Sequence, residues 1–223
     1  MSQLKDIRYS TFVLLGIVQL YPWNSMLSLT QFMTHDVFKD TTVYAKTYAS
    51  TMMSVSTITS VIVNYYLSRK QFGFTSRITK GIIWQLIVFI SLTILICIVS
   101  SLKMGFTYFV VNFLTFVSSF GTSQLQNGTM AWSNIYGSEI YSQAVMFGQA
   151  VAGVVPSLLL FALSFVNVKG VILEKDNELE YDEEATSKAG VILYFVSTIL
   201  LCLFALIVFG ISKIGRDEDI ETS

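Results

Sequence analysis

The sequence predicts an all-α integral membrane protein of about six transmembrane helices, and three observations carry that prediction. Of its 223 residues 53% are hydrophobic and only 13% are charged, where a soluble globular domain carries roughly a quarter charged. The charges are also unevenly spread: between Gly81 and Val166 only Lys103 and Glu139 are charged, and from Ala189 to Ser212 there is none. Apolar stretches of about 18 residues or more, nearly free of charge, mark membrane-spanning helices. Soluble enzyme, nucleic-acid binder and secreted disulfide domain are therefore poor readings. The net charge of -1 gives no electrostatic footprint for nucleic acid, and Cys97 and Cys202, each inside an apolar run, read as small buried hydrophobes.

The expected spans are Tyr9–Met33, Thr47–Leu67, Ile78–Leu102, Phe106–Trp132, Ile140–Val166 and Ala189–Ser212. Each meets the roughly 20 residues that a bilayer core demands, and each is longer than a barrel strand requires. The first run is too long for the apolar core of a cleaved signal peptide, which takes about 7–15 residues.

The first span carries Gln19, Tyr21, Pro22, Trp23, Asn24 and Ser25. Pro22 cannot donate to the carbonyl of Val18, so a bend is expected there. Trp23 lies about 14 residues into the span, near mid-membrane rather than at the interface where tryptophans anchor. An indole at that depth is suited to stacking on a flat ring solute. The second span offers a weaker polar face of Met53, Thr57, Ser60 and Asn64. The third and sixth read as packing or lipid-facing elements without a site.

The fourth span is the outlier. At about 3.6 residues per turn, Ser119, Thr122, Ser123, Gln126, Thr129 and Ser133 share one face, with Gly121, Gln124, Asn127 and Gly128 on the other side. A helix polar on both sides cannot face lipid, and two glutamines and an asparagine within four positions favour a solute pathway over simple interhelical hydrogen bonding. The Asn127-Gly128-Thr129 sequon falls inside this span and is expected to be unmodified. In the fifth span Ala144, Gly148 and Ala152 repeat every four residues, with Gly153 and Pro156 on the neighbouring stripe and Gln149 between. Small residues so spaced let another helix approach the backbone closely.

Residues 1–8 then form a cytoplasmic N-terminus, 9–166 the first five spans, 167–188 an acidic hydrophilic loop, 189–212 the sixth span and 213–223 a cytoplasmic tail. Eight of the 14 Lys and Arg fall on the side assigned to the cytoplasm, among them Arg69, Lys70, Arg77 and Lys80 in the second connection. The acidic loop lacks the spaced ligands and turn glycine of a calcium loop and reads as a solvated linker. With His35 as the one histidine, read as an exposed loop residue, and no acid within a span, no acid–base pair or metal cluster is expected. The chain reads as neither an enzyme nor a cofactor binder.

Three blocks carry a resemblance: Pro22-Trp23-Asn24 in the first span, Gln126-Asn127-Gly128 in the fourth, and the run from Ala144 to Ser157 in the fifth. Together they resemble the equilibrative nucleoside transporter family, the last block most closely its fungal members of the vacuolar membrane. The resemblance implies the N-terminal bundle of a major-facilitator-like carrier moving nucleosides or nucleobases by alternating access, equilibratively or with protons. It implies substrate contacts from Trp23, Leu27 and Gln126, or Asn127 if the blocks align without a gap. It also implies transport and packing roles for Gly148 and Gly153, which join Pro22, Gln149 and Pro156, read from the residues themselves, as expected packing and gating positions. The family has about eleven spans, six and then five, so the chain is expected to be about half a carrier, working with a C-terminal half or a second copy in a vacuolar or lysosomal-type membrane. The alternative is a half-size protein that does not transport but associates with or regulates a full-length relative.

Overall fold

The computed structural model describes residues 2–70, 73–136, 139–172, 183–212 and 214. Among them the chain forms six α-helices and no strand: α1 (Ser2–Phe32), α2 (Val43–Ser68), α3 (Phe74–Ile98), α4 (Met104–Ile135), α5 (Glu139–Ile172) and α6 (Glu183–Ile211). A π-helical turn over Met33–Val37 extends α1, and a 3-10 turn over Val99–Ser101 extends α3. The shortest helix, α3, has 25 residues, about 38 Å at 1.5 Å per residue, which exceeds a hydrocarbon core of about 30 Å. The expected spans at 47–67, 106–132 and 140–166 lie within α2, α4 and α5, while those at 9–33, 78–102 and 189–212 run past the C-terminal ends of α1, α3 and α6.

Among the described residues four segments are long and apolar enough to cross a membrane: Ile7–Val37, Phe74–Ser101, Met104–Ile135 and Gly190–Ile211. The helix α2 is long enough, but Ser54, Ser56, Thr57, Thr59 and Ser60 lower its hydropathy. In α5 most side chains from Pro156 onward lie outside the described residues.

Several local features explain the element ends. Thr42 caps α2 by accepting from the Ala45 amide at 3.2 Å. Gly73, at φ 74, turns the chain into α3 through a left-handed conformation that a side chain would resist. The expected loop at 167–188 is a correction, because α5 continues to Ile172 and α6 starts at Glu183. The centre of the acidic run, 173–182, lies outside the described residues, as does the tail beyond Ile214.

The bundle turns apolar side chains outward. Val61, Ile62 and Phe113 are each more than half exposed, and Phe109, Phe113 and Phe116 form a stacked column along α4. At the C-terminal end of α2, Arg69 and Lys70 lie over the rings of Tyr65 and Tyr66. This is the pairing of amphipathic rings and long cations expected at a membrane surface. Cys97 is exposed on the outer face of α3 and only Cys202 is buried, so the first of the two cysteine readings is corrected. His35 is exposed as expected and pairs with Asp40 at 2.9 Å.

Two apolar clusters fill the interior. One gathers Met26, Leu29, Tyr48, Met52, Phe89, Leu92, Val111 and Phe195, and the other Phe12, Leu15, Ile82, Leu125, Trp132, Val145 and Phe209. Between them, α1 contributes Gln19, Tyr21 and Ser25, α2 contributes Ser56 and Ser60, α4 contributes Ser118, Ser119, Thr122 and Gln126, and α6 contributes Ser197 and Thr198. The bundle thus has a polar waist between two apolar plugs.

Candidate functional site

The waist holds a cavity of about 160 Å3 lined by α1 (Gln19, Leu20, Trp23), α2 (Ser56, Ser60), α4 (Ser118, Ser119, Thr122, Gln126) and α5 (Gln149). Its construction follows from helix contacts on each side. Gly16 and Gly148 bring α1 and α5 together so closely that a Cβ on Gly148 would overlap the Val13 carbonyl oxygen, and one on Gly16 would overlap that of Val145. Phe12 meets Tyr141, Gln19 meets Gln149 and Asn24 meets Ala152, so contact positions rise together along both helices and α1 and α5 run parallel. That approach sets Gln19 beside Gln149, whose Nε2 donates to Gln19 Oε1 at 2.9 Å. Higher up, Asn24 Nδ2 donates to the Ala152 carbonyl at 2.9 Å. Tyr21 and Ser25 are hydrogen bonded to Ser197 and Thr198 of α6, each at 2.8 Å.

The opposite wall is organised from behind by a residue that the sequence reading passed over. Gln85 of α3 is fully buried. Its Nε2 donates to the Ser118 carbonyl at 2.8 Å and to Thr122 Oγ1 at 2.6 Å, while Ser118 Oγ donates to its Oε1 at 2.9 Å. Ser119 Oγ donates to Ser56 Oγ at 2.8 Å and so joins α4 to α2. Gln85 therefore fixes the orientation of two cavity-lining residues without entering the lining. Gln85→Leu is expected to leave Ser118 Oγ and Thr122 Oγ1 without this partner, costing about 1–3 kcal/mol. A thermal unfolding scan of the purified variant against the parent, with an expected fall of several degrees, measures it.

The sequence-predicted residues divide into groups. Trp23, Gln126 and Gln149 line the cavity together. Leu27 is part-buried against the neighbouring apolar cluster and does not line the cavity; Leu20 takes a place there instead. Asn127 points away from the cavity, and its Oδ1 accepts from Arg77 Nη1. Of the two alternatives left open for the fourth span, Gln126 is thus the one facing the cavity. Arg77 also donates to the Lys70 carbonyl at 2.6 Å and the Leu67 carbonyl at 3.4 Å. It is a buried clasp on the end of α2 rather than a solvated loop cation.

Pro22 is buried, with α1 helical on both sides of it. Gly148 packs against α1, and Ala144 and Ala152 are buried with it, whereas a Cβ on Gly153 would meet nothing within 4 Å. The packing role expected of Gly153 is therefore corrected for the described residues. The side chain of Pro156 lies outside them. On α4 Gly121 and Gly128 face α3: a Cβ on Gly121 would meet Trp84, and one on Gly128 would meet Phe74 and Ile78. The two polar sides of α4 thus serve different ends, one lining the cavity and the other admitting α3.

The chemistry of the lining is neutral, with amides, hydroxyls and one indole. An amide can donate to and accept from a base edge, and an indole face can cover a ring.

Comparison with known proteins bears on this geometry. The profile of a family described as nucleoside transporter matches residues 111–217, which span α4, α5 and α6. The protein named Nucleoside transporter FUN26 of Saccharomyces cerevisiae is 45% identical over 170 residues, covering 76% of this chain and 33% of that protein. The chain thus matches about a third of that relative's length. Apolar helices, a polar waist and these matches agree, and the chain belongs to the equilibrative nucleoside transporter family of integral membrane proteins.

Proposed function

We propose that this chain forms the N-terminal bundle of a carrier that moves nucleosides or nucleobases across a membrane by alternating access. The observation that carries the reading is the polar cavity at mid-height, with Trp23, Gln126 and Gln149 converging on it. Carriers of paired bundles hold their solute near the bilayer midplane, between the two halves. A volume of about 160 Å3 falls below the roughly 300 Å3 at which ligand pockets begin. One wall of a shared site accounts for that shortfall, and Gln126 is exposed at its rim, where a second bundle would close over the solute. No acidic residue occupies the apolar interior of a span, which favours equilibrative exchange over proton coupling by this bundle. The resemblance of the run from Ala144 to Ser157 to fungal vacuolar members favours a vacuolar or lysosomal-type membrane over the plasma membrane.

The test joins the chain to a downstream five-helix segment and measures radiolabelled uridine and adenosine uptake into vesicles. Uptake above that of empty vesicles is expected, falling at least tenfold in Trp23→Ala and Gln126→Ala. Uptake no greater than that of empty vesicles, from intact and well-inserted protein, would sink the reading. The rival reading, a non-transporting partner docking through the small-residue stripe of α5, has less support, because Ala144, Gly148 and Ala152 are already buried against α1.

A further inference from the structure

Gln19 is 97% removed from solvent, at 3% exposure, yet its Nε2 has no hydrogen-bond partner. A buried amide donor left unpaired costs about 1–3 kcal/mol, and of the buried side-chain atoms without a partner among the described residues Gln19 Nε2 alone belongs to a residue that lines the cavity. Its orientation is held in place. Gln149 Nε2 donates to Gln19 Oε1 at 2.9 Å, which occupies the acceptor end of the Gln19 amide and leaves the donor end over. Both glutamines line the cavity, as does Trp23. Gln19 and Trp23 are four residues apart in α1, about one turn or 5.4 Å along the axis. A flat ring laid on the indole of Trp23 therefore presents its edge to the Gln19 amide. A puckered sugar cannot stack in that way, so the edge that meets Gln19 belongs to the base.

We propose that Gln19, oriented by Gln149, is a specificity-determining donor that recognises a carbonyl oxygen on the base. The inference rests on the nucleoside reading above and deepens it. The substrates it favours are oxo-nucleosides such as inosine and uridine. A base presenting an exocyclic amino group at that edge sets donor against donor and leaves both unsatisfied, and a site built to pair with a polar group rejects the analogue that lacks it. Gln149 is a positioning residue in this arrangement, because it acts by holding the amide of Gln19.

The experiment uses the chain joined to the five-helix segment of the uptake test, in lipid nanodiscs, and saturation-transfer difference NMR, which detects weak binding. Millimolar inosine is compared with purine riboside, which differs by the absence of the 6-oxo group and its accompanying ring proton. The expected result is an inosine affinity about 10-fold above that for purine riboside, the value of one well-made buried hydrogen bond. In Gln19→Met that ratio falls to about one, because inosine weakens while purine riboside is unchanged. In Gln149→Met it falls part of the way. Thermal unfolding midpoints of both variants, kept close to the parent, separate this effect from loss of fold. If Gln19→Met does not fold, the ratio in the parent and in Gln149→Met still decides. Equal binding of the two ligands by the parent, a ratio unmoved in Gln19→Met, or a preference for adenosine over inosine that depends on Gln19 overturns the donor assignment alone. Absence of binding to any nucleoside overturns it together with the carrier reading.

Discussion

Gly148→Ala is expected to lower the thermal unfolding midpoint by roughly 4–8 °C, while Gly153→Ala five positions away leaves it unchanged or slightly higher. The added Cβ at 148 would overlap the Val13 carbonyl oxygen and sit 3.0 Å from the Ile17 nitrogen. Both are backbone atoms, so no rotamer change relieves the clash and the two helices must separate. Overpacking of this kind costs about 3 kcal/mol at the upper end, and alanine returns about 1 kcal/mol of helix propensity. A net loss of about 2 kcal/mol corresponds to the stated shift for a chain of this size. At Gly153 no atom lies within 4 Å, so only the propensity gain operates. The measurement is a fluorescence unfolding scan in one detergent for parent and both variants. Equal shifts at the two positions would falsify the close α1–α5 approach. Gly16→Ala should behave like Gly148→Ala, and the double variant should fall short of the sum because both open the same contact.

Arg77→Met is expected to destabilise by about 3 kcal/mol, with Arg77→Lys recovering less than half of that. Arg77 is only 7% exposed and donates to the Leu67 and Lys70 carbonyls and to Asn127. A hydrogen bond from a charged donor contributes about 1.5–3 kcal/mol, and removing the donor strands buried acceptors. The planar guanidinium serves three acceptors on two sides at once, and a lysine ammonium on the same stem cannot reproduce that spread. Asn127→Ala removes a single contact and should cost about 1 kcal/mol. Chemical unfolding monitored by tryptophan fluorescence orders the three variants, and Asn127→Ala costing as much as Arg77→Met would show that the clasp is not centred on the arginine.

The helices were legible because period and hydropathy point the same way across each span, and because lipid leaves the backbone no other way to pair. The polar residues of the fourth span were legible as anomalies, although their division between cavity and α3 was not. Composition marks Gln126 and Asn127 alike as amides in an apolar setting. Only the contact of Gly121 and Gly128 with α3 shows which side of the helix is closed. Gln85 illustrates the complementary failure. It is the lone amide in the third span, a signal as local as Gln126, but one amide reads as an ordinary helix-to-helix bond until Ser118 and Thr122 are seen on the other end of it. Gly153 was misjudged because a small residue licenses close approach without requiring it. Arg77 was counted with the loop cations because the start of α3 at Phe74, after the turn at Gly73, is set by backbone conformation rather than by hydropathy.

The two plugs do not draw on the same helices, and this has a mechanical consequence. Among the described residues α2 joins only the cluster containing Tyr48 and Met52, and α5 joins only the cluster containing Ala144 and Val145. The described part of α2 is thus a beam fixed at one end. A load applied at mid-height displaces such a beam most at its far end, so the cavity can widen without breaking the apolar plug that holds it. For α2 the far end is the one that Arg77 grips, which makes that clasp the latch on a cantilever.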